Sequence, residues 1–197
     1  MSKNVLLIGS GVEAISTIKN AGYNIAGIVD PSLESNIWNN IAVFKNEAEA
    51  KEHTSIKKAI VSIDNIENRK KVFEKLNLLS IDILSIHGGY VGNNTEIGAG
   101  VFLQRFSHLS DNCKIGIGSR LNIKANVMHD SVIGDFVTIA PNAVILGRVK
   151  IGNYSYIGAN ATILPAINIG SRVVIGAGSV VTRNVKDSKT VKGNPAK

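Results

Sequence analysis

Ile133-Gly134-Asp135-Phe136-Val137-Thr138-Ile139-Ala140-Pro141-Asn142-Ala143-Val144-Ile145 repeats one arrangement: an aliphatic residue every six positions, with a small or β-branched residue two before it. The step continues in both directions. It takes in Val91, Ile97, Leu103, Leu109, Ile115, Leu121 and Val127 before this stretch, and Ile151, Ile157, Ile163, Ile169, Ile175 and Val181 after it. The companion set includes Thr95, Ser107, Cys113, Ser119, Ala125, Ser131, Ser155, Ala161 and Ser179. Alternate residues of a strand share a face, so two inward positions in every six describe a short strand followed by a turn. Glycines add a longer period of 18 through Gly98, Gly116, Gly134, Gly152 and Gly170, with Gly158 and Gly176 running parallel. Three six-residue units then close one coil, and residues 88–197 are expected to form a triangular parallel β-helix of about five coils. The stacked glycines are expected at one corner, where a turn favours positive φ. No insertion breaks the register, so no long loop is available there as a lid.

Residues 1–87 alternate instead. Val5–Ile8, Ile25–Val29, Ala59–Ile63 and Ile83–Ile86 read as strands, and Glu13–Ala21, Glu47–His53 and Ile66–Leu76 as helices, which implies a small parallel sheet. Gly9-Ser10-Gly11-Val12-Glu13-Ala14 follows the first strand and opens the first helix, and Asp30 closes the second strand. Glycines there let a phosphate approach amides at a helix N-terminus, and a strand-terminal acid can accept hydrogen bonds from a ribose. A tight strand-to-helix turn without a ligand would look the same. Fewer than ninety residues precede the repeat, enough for one mononucleotide-binding half and not for two, which argues against an NAD-dependent enzyme.

Charge narrows the partners. The chain has 22 Lys and Arg against 15 Asp and Glu. The whole excess falls in residues 88–197, which hold 12 basic and 5 acidic residues against 10 of each before them. Neither an aromatic-rich platform nor a basic helical stripe accompanies these charges, so a phosphate-bearing small ligand is expected and nucleic acid is not. A single cysteine makes neither a disulfide framework nor a thiolate zinc site, and no metal is expected. The start, Met1 to Gly9, has too short an apolar run for a signal peptide, and no window is long enough for a membrane span, so a cytoplasmic protein is expected.

The repeat resembles the hexapeptide-repeat acyltransferases, whose left-handed β-helices assemble as trimers with active sites between neighbouring prisms. The whole chain is similar to a narrower family, the bacterial nucleotide-sugar and sialic-acid acetyltransferases of the UDP-N-acetylbacillosamine type, in which a short Rossmann-like domain precedes the β-helix. Ile86-His87 matches the junction of the two halves, and Gly193-Asn194-Pro195-Ala196-Lys197 the family's closing motif. Val127-Met128-His129-Asp130-Ser131-Val132-Ile133-Gly134-Asp135-Phe136 looks like the segment with the catalytic histidine and the acid after it. The family's longer Gly-His-Gly loop is here only Gly9-Ser10-Gly11.

The resemblance implies acetyl-CoA as co-substrate and a homotrimer acting on a nucleotide sugar. Residues 1–87 would bind the nucleotide sugar through Gly9, Ser10, Gly11 and Asp30, and residues 88–197 would carry the transfer chemistry. It makes His129 the base, and Gly147 the residue whose amide faces the thioester carbonyl. Ala159, Ala177 and Gly178 would meet the pantetheine arm, with Pro195 and Lys197 in the coenzyme-binding tail. From the residues alone, His129 lies two past the inward Val127, outside the core register, and a histidine suits a base near neutral pH. Asp130 could fix its tautomer only if the corner turns the chain, because neighbouring strand residues diverge. His53 reads as solvated, His87 as a packed junction residue, and His108 as a surface residue or a substrate contact. Cys113 reads as packed core and not as an acyl carrier, so transfer is expected to be direct. N-acetylation of a nucleotide-linked amino sugar for a surface polysaccharide leads. O-acetylation of a sialic-acid-like sugar and a non-catalytic trimeric scaffold stand as alternatives.

Overall fold

The computed structural model describes residues 3–197; Met1 and Ser2, which open the N-terminal stretch read above, lie outside the described residues. The chain forms two compact units, Met1–Ile86 and His87–Lys197.

The first unit is an α/β sheet. Its elements are β1 (Asn4–Ile8), α1 (Val12–Asn20), β2 (Asn24–Val29), β3 (Ile37–Trp38), β4 (Ile41–Phe44), α2 (Glu47–Thr54), β5 (Lys58–Val61), α3 (Ile66–Leu78) and β6 (Asp82–Ile83). The strands lie in the order β3-β4-β2-β1-β5-β6, all pairs parallel except the β3–β4 hairpin. Val5, Leu6 and Leu7 are fully buried, as unbroken apolar strands in parallel sheets are. The β3–β4 hairpin was not expected. Asn39 and Asn40 form its turn with φ of 49° and 61°, a pair of left-handed conformations that asparagine tolerates and that match the twist of a hairpin. The Asn46 and Asn65 side chains cap α2 and α3 by accepting from the amides of Glu49 and Asn68, both at 2.9 Å.

The second unit is a prism of parallel sheets with seven, six and five two-residue strands. From Tyr90 to Val181 the paired residues are 18 apart, as in His108 with Asn126 and Leu109 with Val127. The aliphatic positions and their small companions fill the interior, from Val101 to Val181. Serine is tolerated inside at Ser119, Ser131 and Ser155 because the hydroxyl both donates and accepts. Ser119 donates to the Gly134 carbonyl at 2.7 Å and accepts from the Val137 amide at 2.9 Å, and Ser155 does the same with Gly170 and Val173.

The glycine expectation needs correction. Positive φ falls on another set, one residue in six from Asn94 to Gly178, with φ of 53–68° and only three glycines among fifteen positions. The stacked glycines have ordinary φ and answer to crowding instead. A Cβ on Gly116 would stand 2.6 Å from the Asp135 amide nitrogen, and one on Gly134 would stand 2.8 Å from that of Asn153. They mark the corner where successive coils approach too closely for a side chain. No helix among the described residues is long and apolar enough to cross a membrane.

Candidate active site

Because one coil takes 18 residues, corner residues stack into columns held by backbone bonds from coil to coil. Asp130 donates to the Asp111 carbonyl, Arg148 to that of His129 and Ala166 to that of Gly147. One edge of the prism therefore carries Asn93, Asp111, His129, Gly147 and Pro165, each followed by its left-handed neighbour Asn94, Asn112, Asp130, Arg148 or Ala166.

His129 and Asp130 meet there. Asp130 has φ of 59°, and this turn brings its carboxylate beside the residue before it. Nδ1 of His129 lies 2.8 Å from Asp130 Oδ2, with both side chains about half exposed, at 49% and 45%. The hydrogen bond to His129, then that from the Asn112 amide, holds the Asp130 carboxyl below the ordinary carboxylate range. With Nδ1 bonded to a carboxylate, Nε2 is the nitrogen left to accept a proton. It lies against Gly147, where a Cβ would stand only 2.7 Å from it. Gly147 is buried, and among the described residues its N–H meets no acceptor. A base and an amide donor thus share one small region, which is what acyl transfer needs.

A different edge holds other expected residues. Arg105, Ile123, Pro141, Ala159 and Ala177 form its column, with Gly178 bonded to the Ala159 carbonyl. Side chains along it shrink towards the C-terminus, leaving Ala177 and Gly178 exposed. At the chain end, Ala196 donates to the Val180 carbonyl and packs on the core, while Pro195 and Lys197 stay exposed. The expected coenzyme contacts are therefore divided between two edges of one prism and its end.

In the first unit, Gly9 has φ of 93° and packs so closely that a Cβ would lie 2.9 Å from the Ser62 carbonyl oxygen. Gly11 begins α1 with no side-chain cap. Asp30 accepts from the Ser10 amide at 3.0 Å, and from the Ser32 amide and hydroxyl at 2.9 and 2.6 Å. Burial pushes the Asp30 carboxyl up, but the bonds from Ser10 and Ser32 outweigh it, and the group stays below its usual value. One of the amides expected to face a phosphate is thus already given to Asp30. Gly9 and Asp30 line a cleft of about 420 Å³ with Lys45, Asn68, Lys71 and Lys75. Lys75 pairs with the buried Glu47 at 3.4 Å, and Lys45 donates to the Leu33 carbonyl. Lys71 has no ion pair among the described residues. Sequence reasoning missed these lysines, although Lys71 and Lys75, four apart on α3, share one helix face.

His87 and His108 lie in other columns of the second unit, and His53 belongs to the first. His53 is exposed, with Nδ1 3.0 Å from the Glu49 carbonyl oxygen, and His108 stacks on Tyr90 with ring centroids 4.8 Å apart. His87 is exposed, and among the described residues its ring has no hydrogen bond, so the packed role expected for it is corrected. Cys113 is fully buried, and burial raises its thiol pKa.

Residues 148–183 match the family model described as bacterial transferase hexapeptide (six repeats). That stretch holds two coils of the prism, from Arg148 to Arg183. Among solved structures, a mutant perosamine N-acetyltransferase from Caulobacter crescentus, in complex with CoA and GDP-perosamine, is 25% identical. It superposes with a TM-score of 0.91 over 98% of this chain and 95% of that one. The acetyltransferase domain of PglB from Neisseria gonorrhoeae, in complex with acetyl coenzyme A, is 25% identical with a TM-score of 0.87 over 100% and 99% of the two chains. WeeI from Acinetobacter baumannii is 28% identical with a TM-score of 0.87 over 98% and 99%. No curated protein sequence matches the chain.

Proposed function

We propose that the protein transfers an acetyl group from acetyl-CoA to the amino group of a nucleotide-linked sugar. The observation that carries this is the His129–Asp130 pair, bonded at 2.8 Å with Nε2 against Gly147. It sits on a fold shared, over 98% of the chain, with an enzyme solved with CoA and GDP-perosamine. His129 Nε2 takes a proton from the attacking amine. The Gly147 N–H donates to the oxygen that gains charge as the amine adds to the thioester carbonyl, and Asp130 stabilises the imidazolium that results. His129 then returns the proton to the departing sulfur. The balance is one C–N bond formed and one C–S bond broken.

Two further elements belong to this reading. The first unit serves as a Rossmann-like domain for the nucleotide, with Asp30 and the Gly9-Ser10-Gly11 turn at the rim of the cleft and Lys71 supplying charge for the diphosphate. The left-handed prism works as a homotrimer in the cytoplasm. An acetyl-CoA molecule between neighbouring copies would meet the His129 and Gly147 edge of one and the Ala159, Ala177 and Gly178 edge of the next, with Pro195 and Lys197 at its nucleotide end.

A thiol-release assay with acetyl-CoA against amino sugars, with and without the nucleotide, tests the reading. Turnover with the nucleotide-linked amine supports it. Acetylation of the hydroxyl of a free sialic-acid-like sugar replaces it with O-transfer, and no thiol release from any acceptor replaces it with a scaffold.

A further inference from the structure

We infer that Asn112 is a positioning residue for the His129–Asp130 pair, clamping one carboxylate oxygen of Asp130 so that the other is presented to the imidazole. The inference rests on the reading of His129 as the base. Asn94, Asn112 and Asp130 occupy successive coils at the same corner, with φ of 53°, 57° and 59°. Their side chains form a directed chain. Asn94 Nδ2 lies 3.4 Å from Asn112 Oδ1, and Asn112 Nδ2 lies 3.2 Å from Asp130 Oδ1. Asp130 Oδ2 then meets His129 Nδ1 at 2.8 Å.

The direction follows from the last member. A carboxylate only accepts, so Asn112 must turn its NH2 group towards Asp130 and its oxygen towards Asn94. The carboxylate is thereby held at both oxygens on a half-exposed edge, where a single hydrogen bond would leave it other rotamers. A carboxylate so fixed keeps the proton on Nδ1 and the lone pair on Nε2. The charged and titratable groups around the pair are Asp111, in the column of His129 one coil before it; Arg148, in the column of Asp130 one coil on; and the buried Cys113. Asn112 is the neutral group in contact, and it spends part of the carboxylate's accepting power. Removing it leaves more of that power for the imidazolium, so the acid form of His129 persists to higher pH.

Asparagine also suits a left-handed corner on its own account. Two variants separate the roles. Asn112→Gly keeps the corner without the amide, and Asn112→Asp keeps corner compatibility but sets a second carboxylate against Asp130. The titration midpoint of His129, followed by NMR on 15N-labelled protein, is expected to rise by a few tenths of a unit to about one unit in Asn112→Gly and further in Asn112→Asp. Turnover of Asn112→Gly is expected to fall about three- to tenfold at unchanged KM for acetyl-CoA. A midpoint unmoved in both variants, whatever their melting temperatures, overturns the inference. A midpoint that moves while turnover does not leaves Asn112 as the clamp and overturns instead the assignment of His129 as base.

Discussion

Gly147 stands one coil beyond His129, so close that a Cβ on it would come within 2.7 Å of the imidazole Nε2. The glycine is there for the neighbouring ring and not for its own backbone, since its φ is not in the left-handed region. Gly147→Ala should therefore push the base aside while leaving the coil intact. Misplacing a catalytic group by about 1 Å costs on the order of 10²-fold in rate. Turnover should fall by that much with a nearly unchanged melting curve, and an alanine variant as active as the parent would mean that Nε2 does no work.

The Asp130 carboxylate is held down by the bond to His129 and then by that from Asn112. A group with a depressed pKa stabilises the fold above its ordinary value and loses that contribution as pH falls through its lowered one. Thermal melting of the parent and of Asp130→Asn, compared across pH, should accordingly converge only below about pH 4. Convergence already near neutral pH would place the titrating group elsewhere.

Two glycine substitutions should behave differently. Gly116→Ala drives a Cβ to 2.6 Å from the Asp135 amide, between two coils that cannot separate. Gly178 has φ of 68° with nothing within 4 Å of its Cβ position. The first should destabilise by about 2 kcal/mol or more, the second by about 1 kcal/mol of backbone strain. Chemical denaturation measures both, and the reverse order would contradict the crowding account.

Much of this was legible in the sequence because the β-helix repeats. An aliphatic residue every six positions fixes register, burial and stacking together, so the column shared by His129 and Gly147 could be counted off in steps of 18. The glycines misled because two causes select the same residue, positive φ and close approach, and spacing does not separate them. Aspartate and arginine fill left-handed corners at Asp130 and Arg148, and so hide where the turn is. The first unit has no such redundancy. Its β3–β4 hairpin rests on one Asn39-Asn40 pair, and the cleft lysines come from a loop and a helix that only tertiary packing brings to Asp30.

In that cleft, Lys71 has no ion pair among the described residues, whereas Lys75 is paired with Glu47. Lys71→Ala should weaken binding of a nucleotide-linked sugar about tenfold by calorimetry with UDP-, GDP- and TDP-sugars, the worth of one charge-assisted contact to phosphate. Acetyl-CoA affinity should not change. Equal binding by the variant and the parent would remove the diphosphate from this cleft.

The most direct measurement is the turnover of His129→Ala with acetyl-CoA and the acceptor found in the thiol-release panel. The side chain lies outside the core and is about half exposed, so the variant should fold and assemble as the parent does. Loss of a positioned general base predicts a fall of about 10²- to 10⁴-fold with acetyl-CoA affinity retained. Turnover close to that of the parent, in a folded protein with its correct acceptor, would contradict the account.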